Sequence, residues 1–193
     1  MVATVKIMRW TGDSGSPTKT DITAGTTEGE ANTVANACDT HQQTALGSAN
    51  PIRIPPSGTN YSYWVCTRLS ADVSPATKID NIRWYTDGAN NFGTGVGAVA
   101  ASASTYIQAS GTPGVTGLTL NDSNYSTLDV GTDGLPEDAF SFTSASPLSV
   151  DGEINNPDTG DFGDFVVYQL TIDDTAEAGA TGQETFVWLY DES

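Results

Sequence analysis

Hydrophobic and polar residues alternate along several short runs of the chain. In residues 163–172 (GDFVVYQLTI), Phe165 and Val167 fall on one side of an extended backbone, and Val166 and Tyr168 fall on the other. A period of two is that of a β-strand, whose successive side chains point to opposite faces. No window sustains the apolar stripe of an amphipathic helix. The pattern therefore predicts an all-β protein.

Similar runs recur along the chain, and segments rich in Gly, Pro, Asn and Asp separate them. Short strands with turns at irregular intervals are typical of an antiparallel β-sandwich, either jelly-roll or immunoglobulin-like. We therefore expect one sandwich domain over residues 1–193. The runs at 163–172 and 184–190 (ETFVWLY) are expected to pair with each other across the polar connection 173–183. The other predicted strands are residues 2–10, 18–22, 61–69, 79–86, 96–109, 118–120, 139–143 and 147–150.

Two long polar segments interrupt this pattern. Residues 24–50 are rich in Thr, Ala and Asn and almost lack large apolar side chains. A short helix over residues 28–37 is one interpretation of this segment, and a long loop ordered by a partner is the other. Residues 121–138 are expected to form a second long loop. Loops of this length are usually functional or disordered.

The charge of the chain is strongly negative and unevenly distributed. Lys and Arg total 7 against 24 Asp and Glu, which gives a formal net charge of −17, and no Lys or Arg follows Arg83. Such a surface repels phosphate backbones and anionic headgroups, which excludes nucleic-acid partners and disfavours membranes. Three explanations of the acidity compete: solubility, a high-salt environment that screens self-repulsion, and a cationic partner such as Ca²⁺ or a basic protein surface.

Residues 155–164 (NNPDTGDFGD) form the best candidate for a metal site. Asp158, Asp161 and Asp164 recur at three-residue intervals beside asparagines and glycines. Ca²⁺ prefers six to eight oxygen ligands from flexible loops of this composition. Residues 129–138 (DVGTDGLPED) are a weaker candidate of the same kind. The competing explanation is that Asp, Asn and Gly are simply the residues that turns require.

The sequence offers little for catalysis. His41 is the only histidine and follows Cys38 in a Cys-x-x-His pair, but a zinc site needs further ligands that the chain lacks. No nucleophile or phosphate-loop motif is present, so we expect no enzyme. Cys66 lies in a predicted strand, where a small buried side chain is the default. Cys38 and Cys66 could form one disulfide or remain two thiols.

The four tryptophans allow a second kind of binding. Exposed Trp and Tyr side chains can stack on sugar rings, which would suit a glycan ligand. However, each tryptophan lies within an alternating run, where packing in the core is the default. These residues are Trp10, Trp64, Trp84 and Trp188.

Neither a cleaved leader nor a membrane span is expected. Met1 leads directly into an alternating run, without a basic segment or a long apolar segment after it. No apolar stretch approaches the length that a transmembrane helix needs.

Several strand and turn phrases of the chain resemble accessory capsid proteins of tailed phages and prophages. These phrases are KIMRWTGDSGSPTKTDIT, NYSYWVCTRLSA, IRWYTDG with NFGTG, FTSASPLSV, TGDFGDFVVYQLTI and ETFVWLYDES. The resemblance spares residues 24–50 and 121–138, and it carries over no site residues because it includes no catalytic motif. In its acidity and its scarcity of Lys the chain differs from these proteins, and both features are what a tailed virus of a halophilic host would show.

The resemblance implies a virion component on the capsid surface, a decoration or turret subunit. Its partners would be the major capsid protein and further copies of itself about a symmetry axis. The alternative is a secreted or surface-exposed β-sandwich module that binds calcium or a host-surface glycan.

Overall fold

The computed structural model describes residues 2–23, 52–112, 114–179, 182 and 184–193. Within these ranges the chain is all-β, with antiparallel sheets and one short turn of 3₁₀ helix. The prediction of an all-β antiparallel protein is therefore confirmed. The expectations for residues 24–50, which include the short helix, Cys38 and His41, lie outside the described residues. No helix in the described part of the chain is long and apolar enough to span a membrane.

Fourteen strands are numbered in chain order. They are β1 (Thr4–Thr11), β2 (Thr18–Asp21), β3 (Thr59–Tyr61), β4 (Val65–Val73), β5 (Lys78–Tyr85), β6 (Val96–Ala103), β7 (Gly111–Thr112), β8 (Thr116–Gly117), β9 (Leu128–Asp129), β10 (Glu137–Asp138), β11 (Leu148–Val150), β12 (Ile154–Asn155), β13 (Gly160–Asp173) and β14 (Val187–Glu192). The 3₁₀ turn covers Ala139–Ser141.

The larger sheet is built around β13. Its order is β10-β6-β13-β4-β1-β2, with β3 also paired to β13 and β9 also paired to β6. Tyr168 stands opposite Val65 on one side and Ala100 on the other. Because residues 165–170 are buried throughout, this strand needs neighbours on both edges as well as packing on both faces.

The second sheet is centred on β5, which pairs with β11 and β12 on one edge and with β14 on the other. The expected pairing of the runs 163–172 and 184–190 is therefore wrong, because β13 and β14 belong to different sheets. The alternating pattern identifies strands but not their partners. The edges of β13 are already occupied by β3, β4 and β6, which leaves β14 to extend the smaller sheet.

Aromatic side chains join the two sheets. The rings of Trp84 on β5 and Tyr168 on β13 stack with centroids 6.4 Å apart, and Phe186 packs against both. Trp84 and Trp64 are buried, as expected for core residues. Trp10, Phe186 and Trp188 are half-buried and pack against the core from its margin.

Several other boundaries differ from the sequence-based expectation. The strand expected over residues 96–109 ends at Ala103, and the one expected over 118–120 is replaced by β8 just before it. The strand expected over 139–143 begins instead as the 3₁₀ turn, because the Asp138 carboxylate caps it by accepting from the Phe140 N–H at 3.0 Å. The polar segment 121–138 contains β9 and β10 rather than a continuous loop.

Candidate functional site

A bulge in β13 shapes a cleft at the surface of the molecule. Phe162 pairs with Leu69 of β4 and Val166 pairs with Thr67, so three residues of β13 stand opposite Arg68 alone. The Arg68 Nε donates to the carbonyl of Gly163 at 2.6 Å. Gly163 has a φ of 68°, a left-handed conformation that glycine adopts without a steric penalty. Bulges of this kind bend a strand and redirect its side chains.

A second backbone segment packs closely on the bulge. A Cβ on Gly152 would lie 2.7 Å from the Cα of Gly163, so only glycine fits there. The N–H of Asp164 donates to the Asp151 carbonyl at 2.8 Å. The loop between β11 and β12 is thereby held against β13, and the space between them is the cleft.

The cleft encloses about 510 Å³ and is open to solvent. All three aspartates proposed as calcium ligands, Asp158, Asp161 and Asp164, line it. The other lining residues are Arg68, Gly152, Glu153, Ile154, Asn155, Thr159, Phe162 and Gly163. The structure therefore brings the predicted residues to one place. Among the described residues, however, no three His, Cys, Asp or Glu side chains are grouped closely enough to hold a metal ion.

Asp161 already has a cation. The Lys19 Nζ lies 2.5 Å from its carboxylate and 4.3 Å from the centroid of the Trp10 ring. A metal ion would have to compete with this ammonium group for Asp161. Asp158 is exposed, and its N–H donates to the Asn155 carbonyl at 2.7 Å within a tight turn.

The surroundings of Asp164 disfavour its ionised form. Partial burial raises the pKa of Asp164 above its ordinary value, and the neighbouring carboxylates of Asp151 and Asp129 raise it further. Arg68 opposes this by favouring the ionised form. A bound cation would relieve the repulsion between these carboxylates, which is the electrostatic basis for any affinity of the cleft for Ca²⁺.

The weaker calcium candidate, residues 129–138, extends along the larger sheet and includes two of its strands, β9 and β10. Asp129 lies in β9, whereas Asp138 lies in β10 and caps the 3₁₀ turn. Its acidic residues thus belong to different elements of secondary structure.

Cys66 is a buried structural thiol. It is not bonded to another cysteine, and its Sγ lies 3.4 Å from the Tyr125 hydroxyl. Burial raises the pKa of the Cys66 thiol to about 12, which opposes any role as a nucleophile. The same hydroxyl accepts from the Ile107 N–H at 3.0 Å and donates to the Thr105 carbonyl at 2.8 Å, so it orders the segment after β6.

Sequence reasoning missed the contribution of Arg68 and of the loop at Gly152 and Glu153 to the cleft. An arginine within an alternating strand gave one signal, because a charge there must reach solvent or a partner. No local signal placed the β11–β12 loop against β13.

Two of the four tryptophans are unavailable to stack on a sugar ring, and the other two, Trp10 and Trp188, are half-buried. Trp64 and Trp84 are buried, and Trp10 is covered on one face by Lys19.

No protein-family model, curated protein or solved structure matches this chain.

Proposed function

We propose that this chain is a structural protein of a virion, a decoration or turret subunit that docks on the major capsid protein and associates with copies of itself. The phrases that resemble accessory capsid proteins of tailed phages fall on β1, β2, β4, β5, β13 and β14, the strands of the sandwich frame. The resemblance thus concerns the strands that form the framework of the fold. The proposal assigns no reaction to the chain.

The distribution of charge is the observation that carries the proposal. Four of the seven basic side chains already form ion pairs with carboxylates of the same chain. These are Lys6, Lys19, Lys78 and Arg83. Because the chain has 24 acidic residues, most carboxylates have no internal counter-charge. A basic protein surface would complement them, as a capsid shell can, whereas nucleic acid would be repelled.

The test is to look for the protein on purified virus particles. We expect it in fixed copy number, in multiples of three or five that match the symmetry axes of a capsid. Washing the particles in about 1 M NaCl should release it, because screening weakens contact between acidic and basic surfaces. Its complete absence from particles would overturn the proposal.

A calcium-binding module is the second candidate, favoured by the convergence of Asp158, Asp161 and Asp164 on one cleft. Calorimetric titration with CaCl₂ should then show binding that Asp158→Asn weakens and that Asp87→Asn, outside the cleft, leaves unchanged. A flat titration would remove this candidate and would leave the virion proposal standing.

A further inference from the structure

Two long stretches of this acidic chain contain no acidic residue. Residues 52–71 and 88–121 hold none of the 24 Asp and Glu. The structure brings parts of both stretches into contact. The N–H of Arg53 donates to the Val115 carbonyl at 3.3 Å. The N–H of Tyr61 donates to the Thr116 hydroxyl at 3.0 Å.

We call the described residues of 52–62 and 108–120 the acid-free patch. Two large aliphatic side chains are exposed there, Ile54 at 36% and Leu118 at 44%. Arg53 is the only charged residue in these segments. The same segments hold uncharged polar residues, namely Asn60, Ser110, Thr112, Thr116 and Thr119. Exposed apolar residues together with uncharged polar ones and an arginine match the composition of protein interfaces.

The patch is held rigidly from beneath. The amide of Gln169 in β13 donates to the Leu118 carbonyl at 2.7 Å, and its oxygen accepts from the Leu120 N–H at 2.8 Å. The β7–β8 hairpin packs so closely that a Cβ on Gly111 would lie 2.8 Å from the Tyr63 ring. A surface ordered before binding loses less conformational entropy in the complex.

The Asp173 carboxylate, at the border of the patch, is hydrogen-bonded within its own loop. Asp173 stands opposite Thr59, next to the patch. Its carboxylate accepts from the N–H of Thr175 at 2.8 Å and from the Thr175 hydroxyl at 2.6 Å. This arrangement keeps the negative charge within the turn that follows β13.

We propose that the acid-free patch is the surface through which two copies of this chain associate, patch against patch. Each copy carries a net charge of −17, so contact through most other surfaces would bring carboxylates together and bury them at a high free-energy cost. Contact through this patch buries Ile54 and Leu118 without that cost. The inference deepens the proposed function, on which it rests, by naming the self-association surface of the subunit.

Sedimentation equilibrium from about 1 µM to about 500 µM tests the inference. We expect a monomer–dimer equilibrium that Leu118→Asp or Ile54→Asp weakens at least about tenfold. Leu189→Asp and Leu135→Asp are the matched controls, because these leucines are 42% and 46% exposed and lie outside the patch. Both controls should dimerise as the parent does. Circular dichroism and melting temperature confirm that each variant folds.

Salt provides a second measurement. Raising NaCl from about 0.05 M to about 1 M should strengthen the dimer, because it screens the repulsion between two acidic copies and leaves an uncharged contact intact. A dimer that salt dissociates would overturn the inference, as would a dimer broken by Leu189→Asp but not by Leu118→Asp.

The two proposals fail separately. A chain that is monomeric at every concentration but present on virus particles overturns the self-association surface and leaves the virion function standing. A chain that dimerises through Leu118 but is absent from particles overturns the function and leaves the surface.

Discussion

The buried amide of Gln169 donates a hydrogen bond of 2.7 Å to the carbonyl of Leu118, one of the most exposed aliphatic residues described. The same nitrogen donates to the Ser62 carbonyl at 2.7 Å, and the amide oxygen accepts from the Leu120 N–H at 2.8 Å. One fully buried side chain in the central strand thereby joins β13, the segment before β4 and the segment after β8.

Replacing Gln169 by leucine should lower the free energy of unfolding by about 2–4 kcal/mol, because two buried backbone groups and one part-buried carbonyl lose their partner. Urea denaturation measures this loss. Gln108→Leu is the control. Gln108 is half-buried, and its backbone N–H donates to the Ser14 hydroxyl at 2.9 Å, so the substitution leaves this hydrogen bond in place. A loss of less than about 0.5 kcal/mol for Gln169→Leu would contradict the finding.

The sequence pattern anticipated the frame of the molecule better than its connections. Period-two alternation located β1, β4, β5 and β13 because that period depends on local burial alone. The pairing partners of β13 and β14 depend on which edges are free after the whole sheet forms, so a local pattern could not assign them. Gln169 was placed on a strand, but its three bonds join segments distant in sequence.

The sequence also predicted only part of the candidate cleft, because a local pattern does not reveal contacts between distant segments. The spacing of Asp158, Asp161 and Asp164 correctly indicated residues that share a cleft. The pairing of Asp161 with Lys19 could not be foreseen, because the two residues belong to strands that are far apart in the chain. The glycine-dependent contact between Gly152 and Gly163 is equally nonlocal.

The bulge at Gly163 should be far less tolerant of a side chain than the start of β13. Gly160 and Gly163 both have positive φ, but a Cβ at Gly160 meets nothing within 4 Å, whereas one at Gly163 would lie 2.7 Å from the Ile82 Cδ1. We expect Gly160→Ala to cost about 1 kcal/mol and Gly163→Ala about 2–4 kcal/mol of unfolding free energy.

Ile82→Val tests the cause, because it removes the Cδ1 atom. In that background the extra loss from Gly163→Ala should shrink, and a double-mutant cycle measures the coupling. Equal losses for the two glycines, or no coupling to Ile82, would contradict a steric origin.

The Cys66 thiol should resist modification in the folded protein. Its pKa is raised to about 12, chiefly by burial, so only roughly one thiol in ten thousand is ionised at about pH 8. In a Cys38→Ser variant, a chromogenic disulfide reagent should release no colour before denaturant is added and one equivalent afterwards. Rapid reaction of the native variant would contradict the buried, free thiol.

Removing the charge of Asp164 should stabilise the protein at neutral pH. The pKa of Asp164 is raised in the fold by burial and by Asp151 and Asp129, so the native state binds the proton more tightly than the unfolded state does. Stability contributed by this group therefore falls as pH rises through the folded pKa. Because the group is largely solvated, Asp164→Asn should gain less than about 1 kcal/mol at pH 7.

The gain from Asp164→Asn should shrink as the pH falls and disappear at about pH 2.5, where the parent carboxyl is protonated in both states. Urea denaturation at the two pH values measures it. Asp158→Asn, at an exposed position of the same cleft, is the matched control for removing a negative charge. A variant that is less stable than the parent at pH 7 would mean that the attraction of Arg68 outweighs the burial and the repulsion.

Salt should raise the melting temperature of the whole chain. A net charge of −17 repels itself within the folded state, and ions screen this repulsion. Salt also weakens ion pairs, but these pairs are partly exposed, as in the 35% and 40% exposure of Lys6 and Asp21, so they contribute little. We expect a rise of several degrees, on the order of 5 °C, between about 0.05 M and about 1 M NaCl.

The same scan near pH 3 separates charge screening from a general effect of salt. Most carboxylates are protonated there, although hydrogen bonds from Thr23 lower the pKa of Asp21 and those from Thr175 lower the pKa of Asp173, which favours the charged form of these two groups. With most of the negative charge removed, the increment from salt should shrink. A melting temperature that is unchanged or lowered by salt at pH 7 would contradict adaptation of this acidic surface to a high-salt environment.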